Sequence, residues 1–265
     1  MPSTPVDVTH SKKKNLLFTI ATLVTRMDEY LEMVDSALQS GFDRDDVEFI
    51  YIDNSSGNQF DGFSGTNHFI ARAAGQYLII CHQDVLFDQD RCEQLIEKIN
   101  ELSALDANWA IAGNAGKQVN SSLALRISDP HGENVTVGDL PAEVVSLDEN
   151  FIIINTAANV GCTRNIAGFH LYGTDLCFNA MQRGYKCYVI DFHLTHKSVG
   201  VVTDAYHQVK QQIIENYARR KESVVIQSMC SRFYVSSSRI RNILLNRKSL
   251  LNLHSSLSKK KSKQT

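Results

Sequence analysis

The stretch Val47-Glu-Phe-Ile-Tyr-Ile-Asp53 is rich in β-branched and aromatic residues and ends at an acidic residue and a turn, Asn54-Ser-Ser-Gly57. It reads as a buried strand. Upstream, Asn15–Thr22 (NLLFTIAT) is a second such run. Between the two, Met27, Tyr30, Leu31, Val34 and Leu38 recur at helical spacing, and Gly41 follows as a stop. Downstream, a Gly/Ser/Asn-rich loop (NSSGNQFDGFSGTN) leads into a short helix ending near Gly75, and Gln76–His82 (QYLIICH) is a third strand. Leu95, Ile96, Ile99 and Leu102 mark another helix, opened by acidic residues from Asp88. Strands separated by helices of this length form βαβ units and a parallel sheet.

The middle of the chain changes character. Trp109–Lys117 is strand-like, and Leu123–Val137 reads as a hairpin around Asp129-Pro-His-Gly132. Val144–Leu147 and Phe151–Asn155 continue the extended pattern, then a helix runs from about Gly173 to Arg183, stops at Gly184 and leads into the strand Tyr185–Asp191. From Asp204 the chain reads as mostly helical. The expected organisation is a polar leader (1–14), an α/β domain (15–203) with halves 15–117 and 118–203, a helical extension (204–258) and a basic tail (259–265).

Composition narrows the function classes. The chain has 265 residues, 43% hydrophobic and 21% charged, with 14 Gly and 4 Pro, which excludes disordered and collagen-like classes. No apolar run approaches the roughly 20 residues that span a bilayer. The six cysteines form no CxxC pair and several sit in apolar runs, so reduced thiols in a cytoplasmic protein are expected. The net charge of −2 hides an asymmetry: nine Lys/Arg and no carboxylate follow Glu222. A basic end on an acidic body implies an anionic partner.

In open α/β sheets, ligands bind beyond the carboxyl ends of the strands. The second strand ends in Asp53-Asn54, the third in His82-Gln83-Asp84. Residues i and i+2 of an extended segment share a side, so His82 and Asp84 could together hold Mn²⁺ or Mg²⁺ against a diphosphate. The plainer alternative makes Asp84 a turn cap and His82 a packed ring. The chain has no GxGxxG, no GxxxxGK[ST] and no GxSxG, which removes the fingerprints of dinucleotide, P-loop and serine-hydrolase sites. Cys187, His193 and His196 lack zinc-site spacing.

Asn67-His-Phe-Ile-Ala-Arg72-Ala-Ala-Gly75 followed by the strand into His82-Gln-Asp84 resembles the core of inverting GT-A glycosyltransferases of the family 2 type. Gly168-Phe-His-Leu-Tyr172-Gly-Thr-Asp175, with the helix ending at Gly184, resembles that family's second signature, and Asp191-Phe-His193-Leu-Thr-His196 its closing strand and histidine. The resemblance spans roughly residues 15–200. It implies a Rossmann-like nucleotide half with a mixed, mainly parallel sheet, plus a C-terminal helical appendage. It further implies an inverting, metal-dependent transfer from a nucleotide-diphosphate sugar, UDP foremost, to a hydroxyl of a growing surface glycan or lipid-linked saccharide. By the same resemblance, Asp53, Asn54, Asn67, Arg72 and His82 line the nucleotide-sugar side, Asp84 and His196 hold Mn²⁺ or Mg²⁺, and Asp175 is the general base. The first acid of the metal motif is replaced by His82, and the first acid of the second signature by Thr174. These departures keep a non-catalytic binding or scaffold subunit as the alternative, with a sugar-nucleotide nucleotidyltransferase behind it. The latter needs a Gly-rich loop after the first strand, and Thr22–Met27 has no glycine.

Near the end of the chain, Ile240, Ile243, Leu244, Leu250, Leu251, Leu253 and Leu257 recur at near-helical spacing among Arg239, Arg241, Arg247, Lys248 and Lys259–Lys261. Two expectations follow: a basic amphipathic helix on an anionic membrane face, or a helix docked on the catalytic domain. Nucleic acid is excluded, because no aromatic residue interleaves the basic ones after Tyr234.

Overall fold

A computed structural model describes residues 16–218 and 223–247. The first half alternates as the patterning dictates: β1 (Leu16–Val24), α1 (Met27–Ala37), β2 (Val47–Asp53), α2 (Gly62–Arg72), β3 (Gly75–Cys81), β4 (Val85–Leu86) and α3 (Cys92–Leu105). The second half holds β5 (Trp109–Gly113), β6 (Ala115–Lys117), β7 (Leu123–Asp129), β8 (Gly132–Val137), β9 (Ala142–Val144), β10 (Ser146–Leu147), β11 (Phe151–Asn155), α4 (Tyr172–Gln182), β12 (Lys186–Val189) and β13 (Thr195–His196). Then come α5 (Asp204–Tyr217), β14 (Val224–Gln227), β15 (Arg232–Val235) and α6 (Arg239–Leu245).

The core is a seven-stranded sheet of order β2-β1-β3-β11-β5-β12-β9. β1 pairs in parallel with both β2 and β3, and β5 pairs in parallel with β12. β11 lies antiparallel between β3 and β5, and β9 is antiparallel to β12, so the sheet is mixed and mainly parallel. Alternation along each strand feeds two apolar layers. Tyr77, Ile79, Phe151 and Ile153 pack under α1 and α3 with Met33, Leu95 and Ile99. Leu78, Ile80, Ile152 and Ile154 face the other way, onto Phe69, Leu176, Phe178 and Ile213. The two expected halves therefore share one sheet, because β11, β12 and β9 of the second half complete it.

Two local departures have physical causes. The strand-like run Trp109–Lys117 breaks at Asn114, a fully buried side chain whose amide reaches the carbonyl of Arg126, and β6 beyond it joins a second sheet of order β10-β6-β7-β13-β4. The end expected to be mostly helical contains the hairpin β14–β15, whose Ile226, Phe233 and Val235 are buried in the layer with α5. The β-branched and aromatic runs VVIQ and RFYV decide this locally. The expected leader (1–14) and basic tail (259–265), with the leucines from Leu250 to Leu257, lie outside the described residues. Among the described residues, no helix is long and apolar enough to cross a membrane. All six cysteines are free thiols, five of them buried.

Candidate metal centre

β1 leads through α1 to β2 on one side and the chain then returns to β3 on the other, so the topology switches beside β1. A crevice at such a point is the expected ligand site of an open α/β sheet. A cleft opens there, with an empty volume of about 850 Å³ that includes space open to solvent. The β1 end supplies Thr25 and Arg26, the β3 end His82, Gln83 and Asp84, and Phe169 and Tyr172 close the far wall. Gln83 ties the two strand ends together: its Oε1 accepts from the backbone N–H of Thr25 and Arg26 at 2.8 and 3.0 Å.

The side chains of His82, Asp84 and His196 converge. One ligand atom from each lies within 4.8 Å of the others. Strand register explains why a residue more than a hundred positions away joins the pair: β13 lies antiparallel to β4, placing His196 opposite Val85, and Lys197 N–H donates to the Asp84 carbonyl at 3.0 Å. His196 Nε2 is then 3.4 Å from Asp84 Oδ1, and the His82 and His196 rings lie 5.5 Å apart. All three approach one point, and none is spent on capping a helix.

Electrostatics reinforce the convergence. Burial alone would push Asp84 up, but hydrogen bonds from His196 and Ser198 and the charge of both histidines hold its carboxyl well below the usual carboxylate range. Burial works against charge on His196, yet the Asp84 carboxylate raises it above the ordinary imidazole value. His82 is lowered, first by burial and then by His196. The two shifts oppose each other in sign, the carboxylate favouring a proton on His196 and the imidazole favouring charge on Asp84. Two imidazoles and a carboxylate, one of them already an anion, form a donor set that fits a divalent cation.

A second polar cluster lies beyond the far wall. Tyr172 Oη sits 3.4 Å from His82 Nε2 and donates to the Glu149 carbonyl at 3.3 Å, while His82 N–H donates to the Asn150 carbonyl at 3.0 Å. The Glu149 side chain accepts from Gly173 N–H, in the first turn of α4, at 3.1 Å. Burial, with Asp148 adding to it, pushes the Glu149 carboxyl up to about 8. The backbone is strained at the same place: Leu171, just before α4, has φ of 65°.

The other residues named from sequence separate into those at the cleft and those away from it. Asn54 lines the cleft but spends its amide on Gln59 and Phe60 of its own loop. Asp53, exposed at the end of β2, gives one oxygen to Ser55. Asn67 clasps the backbone N–H and carbonyl of Cys162, at 2.9 and 3.0 Å, and so fastens the loop before α4 to α2. Arg72 ends α2 on the exposed surface and is not part of the cleft wall.

Asp175 does not reach the cleft. It is 1% exposed, and its carboxylate accepts from Thr163 N–H (2.7 Å), Thr163 Oγ1 (2.8 Å), Asn179 Nδ2 (3.1 Å) and Tyr217 Oη of α5. From sequence alone, the acidic pair Asp148-Glu149 lies between two strand runs and reads either as a surface turn or as a pair that approaches the sugar. The structure sets the pair directly before β11, the strand that pairs with β3, and so beside His82.

No family profile matches the chain. A curated relative, "ATP synthase subunits region ORF 6" of Fuscovulum blasticum, is 35% identical over 225 residues, covering 83% of this chain and 90% of its own. The chain belongs to that protein's family. The relative's name states a reading frame and no activity. Among solved structures the chain is similar to S. aureus TarS (TM-score 0.48, 10% identity), covering 78% of this chain and 40% of that one. It is also similar to GalNAc-T7 with UDP, GalNAc and Mn²⁺ (TM-score 0.43, 8% identity, 78% of this chain and 51% of that one). A197 from STIV resembles it with a TM-score of 0.40 at 10% identity, over 71% of this chain and 97% of that one. Likenesses this distant carry no argument.

Proposed function

We propose that the chain is a metal-dependent, inverting glycosyltransferase of GT-A type that moves a sugar from a nucleotide-diphosphate sugar, UDP-linked foremost, to a hydroxyl of a glycan or lipid-linked acceptor. The observation that carries this reading is the convergence of His82, Asp84 and His196 at the carboxyl end of β3, in the cleft at the switch point. The sequence resemblance over residues 15–200, which includes these same residues, supports it.

In this reading Asp84, His196 and His82 hold the divalent cation, and imidazole ligands favour Mn²⁺ over Mg²⁺, which prefers oxygen. Such a cation, when bound, neutralises the departing diphosphate. Asp53 keeps one carboxylate oxygen open for the ribose or base, and Arg26 at the mouth, paired with Glu29, lies within reach of a phosphate. Tyr172 and Phe169 wall the side from which an acceptor approaches. The acceptor hydroxyl must lose its proton on that side, to a carboxylate. The resemblance assigns this base to Asp175. We assign it to Glu149, because Asp175 is committed to four donors while the Glu149 carboxyl sits at the start of α4 behind Tyr172. An acid that exchanges its proton near pH 8 is close to the working range of a general base.

The commitment of Asp175 also favours a second reading, a binding subunit that holds the nucleotide without turnover. The test is release of UDP from a panel of UDP-sugars with Mn²⁺ and acceptor extracts, in the wild type and in His196→Ala and Glu149→Gln. The transferase reading expects turnover that both substitutions abolish. Mn²⁺-dependent UDP binding with no turnover on any sugar would establish the binding subunit instead.

A further inference from the structure

α6 is docked inside out. Helices usually bury their apolar stripe and leave polar residues to water. Here the contacts to β15 are made by two asparagines. Asn242 Oδ1 accepts from Ser236 N–H at 2.7 Å and its Nδ2 donates to the Ser236 carbonyl at 2.9 Å. Asn246 repeats this on Tyr234, with both bonds at 2.8 Å. Residues 234 and 236 share one strand edge, so the two amides, one helical turn apart, pair with that edge as another strand would. At about 100° per residue, Ile240, Ile243 and Leu244 centre roughly 130° around the helix from these asparagines. They are 71%, 67% and 43% exposed. Arg239 and Arg241 flank this apolar face and Arg247 extends it.

We propose that α6 is a membrane-docking helix: Ile240, Ile243 and Leu244 enter the interface of an anionic bilayer, and Arg239, Arg241 and Arg247 bind its phosphate headgroups. Charge complementarity selects this occupant. No carboxylate follows Glu222, and Arg239 and Arg241 flank the stripe with Arg247 beyond it, so the helix presents a cationic surface around an apolar stripe. That combination matches a lipid interface, where apolar side chains insert and basic side chains extend to the headgroups. The side-chain bonds of Asn242 and Asn246 hold the stripe outward and keep it from turning back onto the protein. The proposal is independent of the transferase reading, since it requires no reaction at the cleft.

The test is flotation of the full chain with vesicles of phosphatidylglycerol and phosphatidylcholine, and with phosphatidylcholine alone, at low and high salt. The expected result is binding to the anionic vesicles only, weakened by salt. The pair Ile240→Asp and Ile243→Asp should reduce binding to background, and Arg239→Gln with Arg241→Gln should weaken it roughly fivefold per residue. Because these side chains are exposed, all four substitutions should leave the melting temperature within about 2 °C of the wild type. No binding to anionic vesicles overturns the proposal. So does binding that survives the two aspartate substitutions, which would assign it to the basic residues alone. A concentration-dependent dimer dispersed by Ile243→Asp, without vesicle binding, would assign the face to a second copy. A fall in melting temperature of several degrees in Ile240→Asp/Ile243→Asp would show that the chain itself covers the face.

Discussion

Two buried aspartates, Asp84 after β3 and Asp175 in the first turn of α4, have opposite surroundings. Asp84 opens onto a cleft, faces two imidazoles, and is held ionised mainly by a hydrogen bond from His196 that a metal ion shared by the two would replace. Asp175 has its carboxylate filled by Thr163, Asn179 and Tyr217, and so ties the loop before α4, α4 itself and α5 together. A carboxylate's chemistry depends on which of its lone pairs are left over. The end of β3 leaves some over, whereas the start of α4 leaves none.

The comparison is broken most forcefully at Asp175. Replacing it with Ala strands the Thr163 N–H, the Asn179 amide and the Tyr217 hydroxyl in the interior, and should lower the unfolding free energy by about 3–5 kcal/mol. Tyr217→Phe should lose about 1.5–3 kcal/mol, the scale of one hydrogen bond to a charged group. Urea denaturation measures both. An Asp175→Asn protein as stable as the wild type but dead in transfer would return the base to Asp175.

At Asp84 the expected effect shifts from folding to binding. Asp84→Ala should cost little stability, because Asp84 faces an open cleft and its partner His196 can stay neutral once the carboxylate is gone. Its metal-dependent nucleotide affinity should fall about 100-fold or more, beyond the 10–100-fold typical of groups that merely support a metal ligand.

Glu149 sharpens the contrast through pH. Its carboxyl exchanges near 8 in the folded protein against an ordinary value of 4.5. A raised acid contributes its stability fully below the unfolded value and loses it as pH rises through the folded one. The metal-free wild type should therefore weaken between about pH 4.5 and 8, and Glu149→Gln should be flatter. The gap between their melting temperatures should widen in favour of the variant from pH 5.5 to pH 8. A gap independent of pH would mean that Glu149 titrates normally. The smallest effect belongs to Asp53→Asn: exposed at the end of β2, it should change stability by less than about 0.5 kcal/mol and weaken nucleotide binding only severalfold, with or without metal.

The first half was legible because strand ends decide it. Periodicity located β1, β2 and β3, their carboxyl ends had to point into one crevice, and the i, i+2 pair His82 and Asp84 lies there. Even His196 was reachable through the resemblance, although only the β13–β4 register explains its approach. The second half resisted because its contacts are long-range. Nothing near Asp175 announces that Tyr217, forty-two positions later, will take its carboxylate. Nothing around Asp148-Glu149 reveals that β11 inserts between β3 and β5. The hairpin β14–β15 was missed for a different reason: basic and apolar residues further on suggested a helix, and the short runs VVIQ and RFYV gave too little length for their alternation to register.

In the proposed reading His82, Asp84 and His196 form a metal-dependent nucleotide site while Asp175 holds the fold. Calorimetric titration of UDP with and without Mn²⁺, into the wild type, Asp84→Ala and Asp175→Asn, tests it most directly. The expected result is Mn²⁺-dependent binding in the wild type, its loss in Asp84→Ala, and its retention in whatever fraction of Asp175→Asn stays folded. Binding that ignores both Mn²⁺ and Asp84 would contradict it.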